Sequence, residues 1–166
     1  MSGTITRILV PTDFSEAADA ALVYAKALAV QFGASLHLVH VFEDPYTAGA
    51  LSPEVYAPLP PEVREEVMKN IMKELSERLT PGEKLRFSGT TQLATGPVAK
   101  AIVDHASDFR IDLIVMGTHG RRGMAHLVMG SVAEKVVRIA RCPVLTVGQR
   151  VAAETTTETK GAVATA

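Results

Sequence analysis

Residues 112–131 read Asp-Leu-Ile-Val-Met-Gly-Thr-His-Gly-Arg-Arg-Gly-Met-Ala-His-Leu-Val-Met-Gly-Ser, and the succession of residue types in them sets the architecture. Leu113, Ile114, Val115 and Met116 are continuously apolar, which suits a strand covered on both faces in a parallel sheet. Gly117 ends that strand and opens a loop carrying Gly120, Gly123 and Gly130. Glycines lack a Cβ and reach positive φ, so their N–H groups can close on a ligand. Arg121 and Arg122 add two permanent positive charges, and Gly130-Ser131 leads into an amphipathic helix expected over 132–140. The free N–H groups and positive dipole end of such a helix attract an anion. A phosphate is the implied ligand. Ser131 with Glu134 three residues on also forms a capping box, a role compatible with phosphate binding at the same hydroxyl.

Working outward, residues 5–10 are expected to form a first strand ended by Pro11, with Asp13 or Ser15 capping the helix that follows. Ala17, Ala21, Tyr24, Ala25, Leu28, Ala29 and Phe32 recur at helical spacing, and Gly33 sits at the C-terminal cap position. Residues 35–42 read as a second strand, parallel to the first after a crossover helix. His37 and His40 fall on opposite faces of it and cannot share a metal, although His40 lies near the ligand end. Residues 43–60 hold Pro45, Pro53, Pro58 and Pro60 and read as a lid, a binding loop or a disordered segment, in which Tyr46 and Tyr56 either cover a base or pack loosely within the loop. A helix is expected over 61–79 with Val63, Val67, Met68, Ile71, Met72, Leu75 and Leu79 inward, terminated by Pro81-Gly82. A weak edge strand is expected over 85–93. Gly96-Pro97 then opens a helix burying Val98, Ala99, Ile102, Val103 and Ala106, with Asp104 and His105 both read as surface. The last helix presents Val132, Val136, Val137 and Ala140 inward, and residues 143–148 form the final strand.

This alternation of strand and helix predicts an α/β domain over residues 1–148, a five-stranded parallel sheet with helices on both faces. Residues 149–166, rich in Ala, Thr and Glu, are expected to be a disordered tail. At 166 residues the chain suffices for one core. Its 17 basic and 18 acidic residues give net charge −1, so no broad basic face is available for nucleic acid or an anionic membrane. One cysteine, Cys142, excludes an intramolecular disulfide. No stretch is long and apolar enough to insert in a membrane, and a cytoplasmic location is expected.

The glycine loop is neither a P-loop nor G-x-G-x-x-G. Its spacing, G-x2-G-x9-G-S from Gly117 through Gly120 to Gly130-Ser131, resembles the ATP-binding signature of the universal stress protein family. Val132-Ala133-Glu134-Lys135-Val136, Cys142-Pro143-Val144-Leu145 and the opening Ile8-Leu9-Val10-Pro11-Thr12-Asp13 extend the resemblance, which spans roughly residues 4–148. It implies a doubly wound, Rossmann-like sheet of the adenine nucleotide alpha hydrolase-like type, with strand order 3-2-1-4-5. In such sheets ligands bind at the carboxyl ends beside the switch point.

On that basis ATP, or the related ADP or AMP, is the expected ligand. The N–H groups around Gly117, Thr118, His119, Gly120 and Arg121, with those of Gly130, Ser131 and Val132, are expected to cradle the phosphates, and Arg121 to add charge; Met116, Arg122 and Gly123 complete the expected cofactor-binding set. Asp13 is expected to accept from a ribose hydroxyl or to hold a phosphate-bound Mg²⁺. The resemblance gives Val41 the adenine edge, with Pro11 and Thr12 completing the wall. It also implies a homodimer through Val144, Leu145, Thr146 and Val147. No general base for a water and no catalytic lysine is evident, so a regulatory stress-response module with slow or no hydrolysis is expected. The alternative is a weak ATPase or phosphotransferase using Asp13 and Mg²⁺.

Overall fold

A computed structural model describes residues 4–43, 59–118 and 129–148. In chain order the elements are β1 (Arg7–Pro11), α1 (Glu16–Phe32), β2 (Ser35–Phe42), α2 (Pro61–Glu77), α3 (Pro81–Arg86), β3 (Thr90–Thr95), α4 (Val98–Asp108), β4 (Leu113–Gly117), α5 (Ser131–Ile139) and β5 (Val144–Val147). The five strands form one sheet in the order β3-β2-β1-β4-β5, every neighbouring pair being parallel. This is the expected 3-2-1-4-5 order, and its direction reverses between β1 and β4.

The apolar runs are explained by burial on both faces. Ile8, Val10, Leu36, Leu38, Leu113 and Val115 pack toward α1, Leu75, Leu79 and Phe87, while Leu9, Val39, Val41, Ile114 and Met116 pack toward α4 and α5. Alternate side chains of β1 and β4 thus enter two separate cores, so no polar alternation survives in Ile8–Val10 or Leu113–Met116. Ile8, Leu9, Leu36 and Ile114 are wholly buried, each such side chain stabilising by about 1.5–3 kcal/mol relative to exposure. On α1, Ala17, Ala21, Ala25 and Ala29 line the sheet-facing side, and their small size lets the helix lie close. Ser15 caps α1 by accepting from the Ala18 N–H, and Gly33 closes it in the left-handed conformation.

Several local readings differ from the structure. Pro81 does not merely stop a helix; it is the first residue of α3, with Thr80 and Glu83 forming a full capping box. β3 accordingly starts at Thr90, and Leu85, on α3, is 84% exposed. On α2 only Leu75 is buried, and Val63 is exposed; the inward stripe begins at the half-buried Val67 and Met68 instead of at Val63. Val137 is exposed, and Ala133 takes its place beside Val136. Asp104 lies outside, paired with Lys100, but His105 is buried. Among the described residues no helix is long and apolar enough to cross a membrane.

Candidate functional site

The two halves of the chain meet where β1 and β4 end. The strands are registered at Ile8↔Leu113 and Leu9↔Ile114 and terminate at Pro11 and Gly117. Gly117 is packed so closely on α1 that an added Cβ would come within 2.9 Å of the Ala17 carbonyl carbon and Cβ. Close backbone approach, rather than a positive φ, is therefore what requires glycine here. Ala17 is four residues beyond Asp13, so the β1–α1 turn borders the end of β4.

That turn is organised by its own side chains. Thr12 is buried; its N–H donates to the Val39 carbonyl at 2.8 Å, and its hydroxyl oxygen accepts the Phe14 N–H at 3.0 Å. Asp13 Oδ1 accepts from the Ser15 hydroxyl at 2.6 Å and from the Ser15 N–H at 3.2 Å. Asp13 thus braces the capping serine instead of capping α1 itself.

Val41 lies next to the turn, with its side chain in the α4 core. The Val39 carbonyl is directed at β1, where it takes the Thr12 N–H, while the Phe42 carbonyl is directed at β3, where it takes the Gly96 N–H. Strand alternation therefore turns the Val41 N–H and C=O toward the β1 side, beyond the last registered pair, Pro11↔Val39. A backbone donor and acceptor side by side match the edge of a purine base.

Across the mouth, Thr118 is fixed to β5 by its N–H on the Val147 carbonyl at 2.9 Å, and its own carbonyl accepts the Gly130 N–H at 2.7 Å. This bond joins the end of β4 to the start of α5. Gly130 is the N-cap and has no side chain to offer, and the first helical bond is Glu134 N–H to the Gly130 carbonyl. The N–H groups of Ser131, Val132 and Ala133 consequently have no acceptor within α5. Ser131 is the first helical residue, not the cap, and the expected capping box with Glu134 is not formed: the Glu134 carboxylate accepts from Arg138 at 2.6 Å instead. Of the three amides assigned to phosphate at this helix, those of Ser131 and Val132 are available, while that of Gly130 is engaged.

Pro11, Thr12, Asp13, Val41, Met116, Gly117, Thr118, Gly130, Ser131 and Val132 thus lie along the carboxyl ends of β1, β2 and β4 and the start of α5. His119, Gly120, Arg121, Arg122 and Gly123 fall outside the described residues, as do Tyr46, Tyr56 and His126. Among the described residues no group of three or more His, Cys, Asp or Glu side chains is arranged for a metal. Cys142 is half-buried, and burial pushes its thiol pKa up, which suits a packed thiol rather than a nucleophile.

A sequence model of the universal stress protein family matches residues 4–148. The chain belongs to the universal stress protein family. It is 34% identical over 146 residues to universal stress protein MJ0531 of Methanocaldococcus jannaschii, covering 85% of this chain and 81% of that one. Among solved structures it resembles the universal stress protein UspA from Lactobacillus plantarum, with TM-score 0.70, 26% identity, and 88% of this chain and 99% of that one covered. The fold is also shared with a universal stress protein solved in complex with cAMP, at TM-score 0.59 and 22% identity over 88% and 98% of the two chains. The Archaeoglobus fulgidus universal stress protein in complex with dAMP shares it at TM-score 0.56 and 21% identity, over 86% and 97%.

Three residues around the turn that the sequence did not single out for a role here are Phe14, Arg78 and Ala17. Phe14 stacks on the His40 ring, and the Arg78 guanidinium lies against the Phe14 ring. The one available signal was an aromatic residue between Asp13 and Ser15 in an otherwise polar turn. His37 and His105 lie away from the mouth: His37 is opposite Thr90, the first residue of β3, and His105 stacks on Phe109 at 4.3 Å just past the end of α4. Burial, followed by the nearby Arg7 charge, lowers the His37 pKa. Burial, followed by His37, lowers that of His105, with Asp108 opposing.

Proposed function

We propose that this universal stress protein is a cytoplasmic regulatory module that binds ATP, or the related ADP or AMP, at the carboxyl mouth between β1 and β4. The observation that carries the reading is the close packing of Gly117 on Ala17, which brings the Asp13 turn beside the strand leading to α5. The donor set fits an adenine nucleotide. The N–H groups of Ser131 and Val132 suit phosphate oxygens, because an anion satisfies amides that the helix leaves unpaired and meets its positive end. The Val41 N–H and C=O suit the adenine edge, the Asp13 carboxylate suits a ribose hydroxyl, and buried Pro11 and Thr12 supply the wall. The family members solved with cAMP and dAMP support adenine joined to a sugar monophosphate as the common element.

The same carboxylate is the one acidic side chain of this set able to meet a phosphate-bound Mg²⁺. In this reading occupancy rather than turnover is the output, and hydrolysis is slow or absent. The reading includes a homodimer through β5, an edge strand with Leu145 exposed, since such an edge favours pairing with a second copy.

Isothermal titration with ATP, ADP and AMP, each with and without Mg²⁺, tests the proposal. Saturable heat with at least one of them, weakened in Asp13→Ala, is expected; no heat with any of the three would overturn it.

A further inference from the structure

The turn that presents Asp13 is held in a conformation its residues disfavour. Phe14 has φ 64°, in the left-handed region, where a bulky side chain is an outlier that persists only if its surroundings overdetermine it. Such strain is commonly stored beside binding sites.

Among the described residues, His40 and Arg78 hold it. The His40 imidazole stacks on the Phe14 ring, with centroids 4.7 Å apart and planes inclined by 20°. The Arg78 guanidinium carbon lies 5.3 Å from the same ring's centroid, where the π face attracts a cation. Arg78 is itself anchored by Asp19 of α1 and Glu74 of α2. His40 also grips the backbone, its Nδ1 lying 2.8 Å from the Thr12 carbonyl oxygen. A carbonyl only accepts, so Nδ1 carries the proton. That carbonyl belongs to the peptide joining Thr12 to Asp13. With the Thr12 N–H on Val39 and the Phe14 N–H on the Thr12 hydroxyl, the peptides on both sides of Asp13 are tied.

We infer that His40 is a positioning residue of the nucleotide site: by donating to the Thr12 carbonyl and stacking on Phe14 it locks the strained β1–α1 turn so that the Asp13 carboxylate is presented at the mouth. The inference deepens the reading under Proposed function and rests on it. Were the lock released, Phe14 would relax toward negative φ, and the Asp13 peptide planes would rotate with it. The carboxylate would then have to be reordered on binding, which weakens affinity.

The chemistry predicts an unusual order among substitutions. The side-chain amide of Asn places an N–H where His carries Nδ1–H, whereas that of Gln reaches the position of Nε2. His40→Asn therefore keeps the bond to Thr12, while His40→Gln and His40→Ala lose it. Isothermal titration of the full chain with Mg²⁺-ATP is expected to give His40→Asn, which keeps the hydrogen bond but loses the stacked ring, weaker by about twofold to threefold, and His40→Gln and His40→Ala weaker by about fivefold to tenfold, as for loss of the hydrogen bond as well. Because His40 acts through Asp13, the loss from His40→Ala should disappear when Asp13→Asn is already present. Equal affinity of all His40 variants, or a loss of the same size in the Asp13→Asn background, overturns the inference while leaving nucleotide binding intact. If the parent itself binds no nucleotide, the reading of the site fails, and amide hydrogen exchange decides the inference. His40→Ala and His40→Gln are expected to speed exchange at Phe14 and Ser15 by about fivefold to tenfold without affecting Leu36, with His40→Asn, which loses only the stack, speeding it by less; unaltered exchange at Phe14 and Ser15 in His40→Ala overturns it.

Discussion

Gly117 at the end of β4 meets Ala17 of α1 with no room for a side chain between them, a Cβ on the glycine falling 2.9 Å from both the Cβ and the carbonyl carbon of Ala17. Because the obstructing atoms include backbone, no rotamer change relieves the overlap. Gly117→Ala is expected to push α1 from the sheet at a cost of about 1–3 kcal/mol, typical of overpacking, and to weaken ATP binding by separating the Asp13 turn from the α5 amides. Denaturant midpoints and titration on the same variant check both effects.

Ser15 joins fold and site, accepting from the Ala18 N–H as the α1 cap while donating its hydroxyl to Asp13. Ser15→Ala is expected to lower stability by about 1 kcal/mol. It should also lower ATP affinity, since Asp13 loses the hydroxyl that helps to fix its rotamer. A variant with reduced stability and undiminished affinity would separate the cap from the site.

Histidine burial gives the fold an acid-sensitive element. Both His37 and His105 have folded pKa values depressed by burial, and Nε2 of His105 is buried without a hydrogen-bond partner. Their contribution to stability is fully present above the unfolded value of about 6.5 and is lost as pH falls through the lower folded values. Burial opposes ionisation of Asp112 and Glu83, but hydrogen bonds and neighbouring cations outweigh it and hold both pKa values low, so their losses come at more acidic pH. Stability is therefore expected to decline as pH falls below about 6.5, and His105→Phe, which keeps a ring against Phe109, should flatten that decline. Urea titrations at pH 7.5 and 5 measure it.

Most of the architecture was legible because the sheet is buried on both faces: Leu113 to Met116 could be continuously apolar only in such a sheet, and Gly33 marked the end of α1 as expected. The strand order was implied by family resemblance, since an apolar pattern says which faces are covered but not which strand lies beside which. His105 was misread because it neighbours exposed Asp104, although its position three residues from Ile102 and one from Ala106 puts it on the apolar stripe. Thr80-Pro81-Gly82-Glu83 was read as a stop on the strength of Pro-Gly, while Thr and Glu at capping-box spacing signalled a new helix start. At the candidate site, Asp13, Gly117 and Ser131 are proposed from their chemistry and Val41 from the family resemblance. The engagement of the Gly130 amide by Thr118, and the brace of His40, Phe14 and Arg78, depend on elements distant in sequence, and no local pattern encodes them.

The edge of the sheet supplies a test of assembly. β5 pairs only with β4 among the described strands, and Leu145 on it, with Val137 and Ile139 nearby in the chain, is exposed. Sedimentation velocity is expected to show a dimer, and Leu145→Lys, which charges that edge, to yield a monomer that still binds ATP.

The central claim is that an adenine nucleotide sits at the carboxyl mouth of the sheet, and amide chemical-shift mapping of the ¹⁵N-labelled protein during ATP titration tests it most directly. The account predicts the largest shifts at Val41, Asp13, Thr118, Ser131 and Val132, with Thr90, His37 and His105 unmoved. Shifts concentrated around Thr90, His37 and His105, or none at saturating ATP, would contradict it.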